Sequence, residues 1–129
     1  MGVLITIGLG LLALFTTGLL FTLVVNLTTS VGRFIINRLK KHRHKTAGIR
    51  MKELIETVMR EKQNEINTEN ANKMLNELGP EAIALWEQDE DTSILEDSIV
   101  IVKGEQVDEN TRRILDANNG SFVISPTVL

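Results

Sequence analysis

Few residues in this chain have the types and spacing that chemistry requires. The chain contains no cysteine, which excludes disulfides, thiolate nucleophiles and cysteine-based zinc sites. His42 and His44 are its two histidines, and residues two apart in a helix face different directions, so they cannot share a metal ion. The acidic residues within 87–91 lack the mid-loop glycine and the distal glutamate of a calcium loop. We therefore expect no catalytic residues, no metal site and no cofactor, and we predict that the chain is not an enzyme.

The strongest chemical feature is a cluster of basic residues. Residues 1–52 contain eight Lys or Arg and no acid, whereas residues 53–129 contain six bases and all 17 acids. A basic cluster binds phosphate groups, which belong either to lipids or to nucleic acid. Because no aromatic residues are interleaved and the cluster directly follows an apolar segment, we favour lipid headgroups over nucleic acid. The residues predicted to contact headgroups are Arg33, Arg38, Lys40, Lys41, Arg43 and Lys45.

The apolar segment before this cluster predicts a transmembrane helix at residues 1–30. No charged side chain precedes Arg33, and Val3–Leu27 is interrupted only by Gly, Thr and Asn26. About 20 apolar residues cross a hydrocarbon core of about 30 Å. The alternative is a cleaved signal peptide, which needs a basic start, a shorter apolar core and a small-residue cleavage site. Since the sequence has none of these three features, we predict that the span is retained.

Two patterns bear on how this span would be arranged. Lys and Arg remain on the cytoplasmic side of a span, and only its C-terminal flank carries them. This predicts a single-pass protein with its N-terminus outside and its C-terminal region cytoplasmic, or on the equivalent face of a virion membrane. Small residues also recur at steps of three or four, which would let two helices approach closely in lipid. The predicted helix–helix contact in the membrane comprises Gly2, Thr6, Gly10, Ala13 and Thr17.

The middle of the chain must position the basic cluster. Residues 31–52 predict a basic juxtamembrane amphipathic segment, in which Val31–Leu39 continues as a helix at the membrane interface. Residues 53–87 have apolar positions at helical spacing and predict a helical region, whose last helix begins at Pro80. Residues 88–97 are acidic and irregular, which is typical of a solvated linker.

The last segment, residues 98–129, has the pattern of a βαβ unit. Ile99–Val102 is a continuous β-branched run, typical of a strand that is covered on both faces. A short helix capped by Asp108 and a second strand at Phe122–Ile124 then predict parallel pairing with a right-handed crossover. One helix cannot cover both faces, so upstream helices or another subunit must contribute. The residues predicted to contact a protein partner are Ile99, Ile101, Phe122 and Ile124.

Together these features predict a single-span membrane protein with an N-terminal transmembrane α-helix, amphipathic helices and a small C-terminal βαβ (α+β) unit. We expect a structural or assembly protein whose soluble C-terminal region tethers a protein assembly to a lipid bilayer, as in a lipid-containing virion or an envelope machine. Its partners would be anionic headgroups and other protein subunits, including copies of itself, with no nucleic acid and no small-molecule substrate. The alternative is an accessory regulator of a membrane enzyme, transporter or secretion complex. A regulator would be substoichiometric, whereas a structural subunit would be stoichiometric with its assembly.

Overall fold

The computed structural model describes residues 22–61, 68–91 and 94–128, and these ranges contain four α-helices and five β-strands. The helices are α1 (Val31–His42), α2 (Met51–Glu61), α3 (Thr68–Leu78) and α4 (Glu109–Ala117). The strands are β1 (Val24–Val25), β2 (Lys45–Arg50), β3 (Ile83–Gln88), β4 (Ile94–Val102) and β5 (Ser121–Ile124). Two 3₁₀ turns follow β4 and β5, at Gly104–Gln106 and Pro126–Val128.

The strands form one mixed sheet in the order β1-β4-β3-β2-β5. β3 lies in the middle and is antiparallel to both β2 and β4, with Lys45 opposite Gln88 and Gln88 opposite Ile94. β5 is antiparallel to β2 at one edge of the sheet. At the other edge, β1 pairs in parallel with the C-terminal end of β4. As a result β1, β2 and β4 run in one direction, and β3 and β5 run in the other.

The predicted βαβ unit is wrong. β4 and β5 are separated in the sheet by β3 and β2, and they run in opposite directions. β4 instead forms an antiparallel pair with the strand that precedes it, β3. A continuous β-branched run identifies a strand that is covered on both faces, but it carries no information about which strands are its neighbours. The fold is a small α+β domain with a mixed sheet and four described helices.

The pairing was missed because β3 lies where the sequence predicts a helix. Its sequence, Ile-Ala-Leu-Trp-Glu-Gln, contains good helix formers and follows Pro80. Every residue of β3 is buried, so the strand lacks the polar alternation that would distinguish it from a short buried helix. Gly79, with a φ of +92°, ends α3, and its carbonyl accepts a hydrogen bond from the Ala82 N–H at 3.2 Å. This turn leads the chain directly into β3.

The predicted fold class, a single-span membrane protein, is also wrong for the part of the chain that the structure describes. Within the described ranges, no helix combines the length and apolar character that crossing a bilayer requires. Residues 22–30, the end of the predicted span, contain β1 and the N-cap of α1, because Val24 and Val25 pair with β4. The remainder of that prediction lies outside the described residues, as does the predicted membrane contact of Gly2, Thr6, Gly10, Ala13 and Thr17.

Helices cover both faces of the sheet. α2 and α3 pack on one face, where Ala84 and Trp86 of β3 join their buried residues; we call this the α2–α3 face. α1 and α4 pack on the opposite face, the α1–α4 face, against Ile83 and Leu85. Because alternate residues of β3 enter the two cores, the upstream helices provide the cover that the apolar strands require.

Local sequence explains where α1 begins and ends. Ser30 is its N-cap, and the Ser30 hydroxyl accepts a hydrogen bond from the Arg33 N–H at 3.1 Å. Its buried residues, Val31, Ile35 and Leu39, recur every four positions, so one side of the helix faces the sheet. Arg43 ends α1 in the left-handed conformation, with a φ of 59°. The chain then turns into β2, which begins at Lys45.

Candidate functional site

Five of the six residues predicted to contact headgroups are exposed. They lie along α1, in the turn after it and at the start of β2, and α1 itself contains no acid. Within the described part of the chain, none of the five forms an ion pair. Their side chains therefore face solvent, and Arg43 and Lys45 share a surface pocket with Asp89 and Glu90. We call them the basic surface: Arg33, Lys40, Lys41, Arg43 and Lys45.

Arg38, the sixth residue, does not fit the predicted headgroup role. Its side chain is 11% exposed and forms an ion pair with Glu87 of β3, with Nη2 2.8 Å from Oε2. Nη2 also donates to the Ser98 carbonyl of β4 at 2.6 Å. Arg38 occupies the side of α1 that faces the sheet, and there it connects the helix to β3 and β4.

Glu87 is the centre of this buried polar cluster. Its side chain is 5% exposed, and its Oε1 lies 2.8 Å from Nδ1 of His42, one helical turn beyond Arg38. Burial alone would raise the pKa of Glu87, but hydrogen bonds from Arg38 and His42, together with the Arg38 charge, outweigh it and lower that pKa. Glu87 is therefore an ionised carboxylate at neutral pH, held between two side chains of α1.

An irregularity in β4 accommodates this cluster. Leu85 pairs with Val100 and Glu87 with Leu95, so β4 has extra residues between these two pairs. The Glu87 N–H loses its ladder partner and donates instead to the Ser98 hydroxyl at 2.7 Å. Ser98 thus satisfies the Glu87 backbone with its side chain and Arg38 with its carbonyl, which makes the cluster rigid.

Asp108 fixes α1 relative to α4. Its Oδ2 caps α4 by accepting from the Thr111 N–H, and its Oδ1 accepts from both the Thr111 hydroxyl and the Val31 N–H at the start of α1. Burial would raise the pKa of Asp108, but the hydrogen bonds from Thr111 and Val31 lower it overall. One carboxylate thus joins the first turns of two helices.

A groove runs between these two helices. One part, about 500 Å³, is lined by polar and basic residues that include Arg33, Asn37 and Lys40. The adjoining part, about 260 Å³, is apolar and extends to β5; its lining residues are Gly32, Ile35, Ile36, Leu39, Thr111, Ile114, Phe122 and Ile124. Ile36 and Ile114 are 41% and 46% exposed, which is high for large apolar side chains. We call the two parts together the α1–α4 groove.

The four predicted protein-contact residues have different environments. Ile101 is completely buried beneath the α2–α3 face, so it is a core residue and cannot contact a partner. Ile99 is half-buried against the same core. Phe122 and Ile124 line the α1–α4 groove and remain accessible from it. The prediction therefore fails for Ile101 because β4 is an interior strand of the sheet.

The described residues contain no group of three or more His, Asp or Glu side chains that could hold a metal ion. No protein-family model, no curated protein and no solved structure matches the chain. Its function is therefore inferred from the charge and geometry of the domain itself.

Two functional features escaped the sequence prediction. Arg38 and His42 are four residues apart, which in a helix places them on one side, and this spacing was available as a signal. Their partner Glu87 was assigned to the end of a helix, so its place beside α1 could not be foreseen. The groove depends on Ile36 and Ile114, which are far apart in the sequence and meet only because α1 and α4 cover the same face.

Proposed function

We propose that this chain is a membrane-attached structural or assembly protein. Its apolar N-terminal sequence and its basic surface hold the domain at an anionic bilayer, and the domain binds other protein subunits there. The observation that carries the proposal is the basic surface, with five exposed bases and no acid on α1. The proposal assigns the chain no reaction.

The size of the electrostatic attraction supports this role. A Lys or Arg near an anionic lipid surface contributes about 1 kcal/mol, so five such residues contribute on the order of 5 kcal/mol when all reach the surface. The attraction decreases with salt, because the screening length is about 10 Å at 0.1 M. Arg38 makes no contribution of this kind, because Glu87 neutralises it.

The edge of the sheet at β5 is the proposed contact for other subunits. Among the described strands, β5 pairs only with β2, so its second edge has free backbone donors and acceptors. Val123 on this strand is 61% exposed, and β5 carries no charged residue. An uncharged edge with an exposed apolar side chain is suited to pairing with a strand of another subunit.

The absence of cysteine allows a direct test with the full chain. A spin label on Asn37→Cys, on the exposed side of α1, should be shielded from a water-soluble relaxation agent in vesicles that contain phosphatidylglycerol. It should be accessible in vesicles of phosphatidylcholine alone. High salt, or Lys40, Lys41, Arg43 and Lys45 all changed to Gln, should restore accessibility, because the attraction is electrostatic.

Two controls make the test specific. A label on Glu77→Cys, on the exposed side of α3, should stay accessible in both kinds of vesicle. Changing Lys52, Arg60 and Lys73, which lie on α2 and α3, to Gln should leave the Asn37 label shielded. Equal accessibility of the Asn37 label in both vesicles would refute the role of the basic surface. A full chain that does not remain with vesicles at all would refute membrane attachment.

A further inference from the structure

We propose that the α1–α4 groove binds one acyl chain of an anionic lipid, with the headgroup held by Arg33 and Lys40. The inference rests on the proposed function and deepens it, since it names the class of lipid and the place where the chain enters the domain. The observations that carry it are the apolar end of the groove, the basic end beside it and the open space at Gly32 that joins them.

The two ends of the groove match the two ends of an anionic lipid. The apolar end has a volume of about 260 Å³ and is lined by Leu39, Ile114, Phe122 and Ile124 among others. The basic end opens beside it, and Gly32, Ile36, Thr111 and Ile114 line both. A ligand with a negative head and an aliphatic tail would therefore satisfy both ends at once.

The charge of the groove favours an anion. Arg33 and Lys40 form no ion pair within the described ranges. Asp108 is the acid that lines the groove, but hydrogen bonds from Thr111 and Val31 already use both of its oxygens. The two bases are thus available to a ligand, and the carboxylate is held in its capping role.

Gly32 keeps the groove open. It lies in the first turn of α1, where glycine is less favourable than alanine by up to about 1 kcal/mol. A Cβ built there would meet only the Ser30 hydroxyl, at 4.0 Å, so nothing in the fold requires a glycine at this position. A larger side chain at residue 32 would extend into the space shared by the two ends of the groove.

The test uses the full chain in vesicles that contain phosphatidylglycerol with a diazirine in one acyl chain. After irradiation, mass spectrometry should find lipid attached to groove residues such as Ile36, Ile114 and Phe122. Gly32→Leu should reduce this labelling about tenfold, because the Leu side chain displaces CH₂ groups of the acyl chain from the groove. Gly32→Ala is the matched control and should leave most of the labelling in place.

Further arms separate this inference from the proposed function. Ile36→Gln, a neutral change at a position that is 41% exposed, should reduce groove labelling as Gly32→Leu does. Neither change removes a base, so vesicle binding through the basic surface should persist. Phosphatidylcholine with the same diazirine chain should label the groove weakly.

Three results would overturn the inference while leaving membrane attachment intact. The first is lipid labelling confined to residues 1–21. The second is equal groove labelling by the two lipids. The third is capture of a polypeptide instead of lipid when a photoreactive benzoylphenylalanine replaces Ile36, which would assign the groove to a protein segment.

Discussion

The two helical layers of this domain cover the same sheet in different ways. On the α2–α3 face, the buried apolar residues of the helices are at most 3% exposed: Met51, Leu54, Ile55, Met74 and Leu78. On the α1–α4 face, the buried residues of the helices are similarly enclosed, but Ile36 and Ile114 remain 41% and 46% exposed beside a groove. The charges differ too, since α1 has no acid, whereas α2 and α3 together have more acids than bases.

The difference shows which layer is available for binding. The described buried residues of α2 and α3 pack against the sheet, so this layer stabilises it. α1 and α4 are held by their own buried apolar residues and also by polar groups, through Glu87 and Asp108, and they leave apolar surface for a partner.

Core truncations should give the largest difference between the layers. Leu54→Ala, in α2, should lower the free energy of unfolding by about 4 kcal/mol, because it leaves a cavity in a closed core. Ile36→Ala, in α1, should lower it by about 1 kcal/mol or less, because this side chain is already exposed. Denaturant unfolding of the full chain in mild detergent measures both. Equal losses for the two variants would contradict the comparison.

The polar attachment of α1 should produce the next largest effect. Glu87→Gln should lower stability at neutral pH by about 3 kcal/mol, because it leaves the nearly buried Arg38 without its counter-charge. His42→Gln, the control, removes the more exposed partner and should cost less. Denaturant unfolding at pH 7 measures the two losses, and a greater loss for His42→Gln would show that Arg38 is not the principal partner.

The same carboxylate makes the α1–α4 layer sensitive to acid. The pKa of Glu87 is lower in the folded chain than its ordinary value of 4.5, so its ionised form stabilises the fold above that pH. This stability should be lost as the pH falls from about 4.5 through the folded-state pKa. Glu87→Gln should remove this part of the acid dependence, and unfolding curves between pH 3 and pH 7, compared at roughly unit steps, measure it. An unchanged acid profile in the variant would exclude Glu87 as its source.

The shared helix cap should contribute less. Asp108→Ala should lower stability by about 1–2 kcal/mol, since it removes the acceptor for the first turns of both α1 and α4. Asp108→Asn keeps one carbonyl oxygen and should retain most of that stability. Hydrogen exchange should increase at Val31 and Thr111 in the alanine variant, with no change in α2. A uniform increase across all helices would indicate global unfolding instead.

The smallest expected effect is a gain in stability. Gly32→Ala should raise stability by about 0.5–1 kcal/mol, because alanine is the better helix former and the position has open space. Gly48→Ala is the contrasting control, because a Cβ there would stand 2.5 Å from the Phe122 ring and should destabilise the sheet. Thermal unfolding midpoints of the two variants should therefore move in opposite directions. A loss of stability in Gly32→Ala would mean that residue 32 does not face open space.

The sequence was informative about local elements and uninformative about pairing. The sequence predicts helix at Val31–Leu39, but as a continuation of the span, whereas α1 begins at Val31 after its N-cap Ser30; Asp108 is correctly predicted to cap a helix. The sequence does not predict β3 as a strand, because a strand buried on both faces has no period-2 pattern of apolar and polar residues. Without β3, the hairpin with β4 cannot be recognised, and Phe122–Ile124 becomes the nearest apolar run that could pair with β4.

The candidate site was predictable only in its charge. The basic run identified the exposed residues, but it could not separate Arg38, which differs from Lys40 and Lys41 only in the side of α1 that it occupies. That distinction depends on Glu87, which comes from a distant strand. The groove likewise needs Ile36 and Ile114 to meet across two helices, and no spacing within one segment encodes that contact.

The small size of β1 has a mechanical consequence. A pull applied at residue 22 reaches β1 first, and this strand joins the ladder of β4 through two residues, Val24 and Val25. The Leu27 N–H donates to Oε1 of Gln106 at 3.1 Å, and the Gln106 amide donates to Asn26. The half-buried side chains of Leu23, Val24, Val25 and Leu27 add apolar contacts with the two cores. Under tension this strand would detach while α1 stays attached through Glu87. Residues 22–30 would then extend by roughly 30 Å, at about 3.3 Å per residue. Force spectroscopy on the full chain should therefore record one short, low-force extension before the domain itself ruptures.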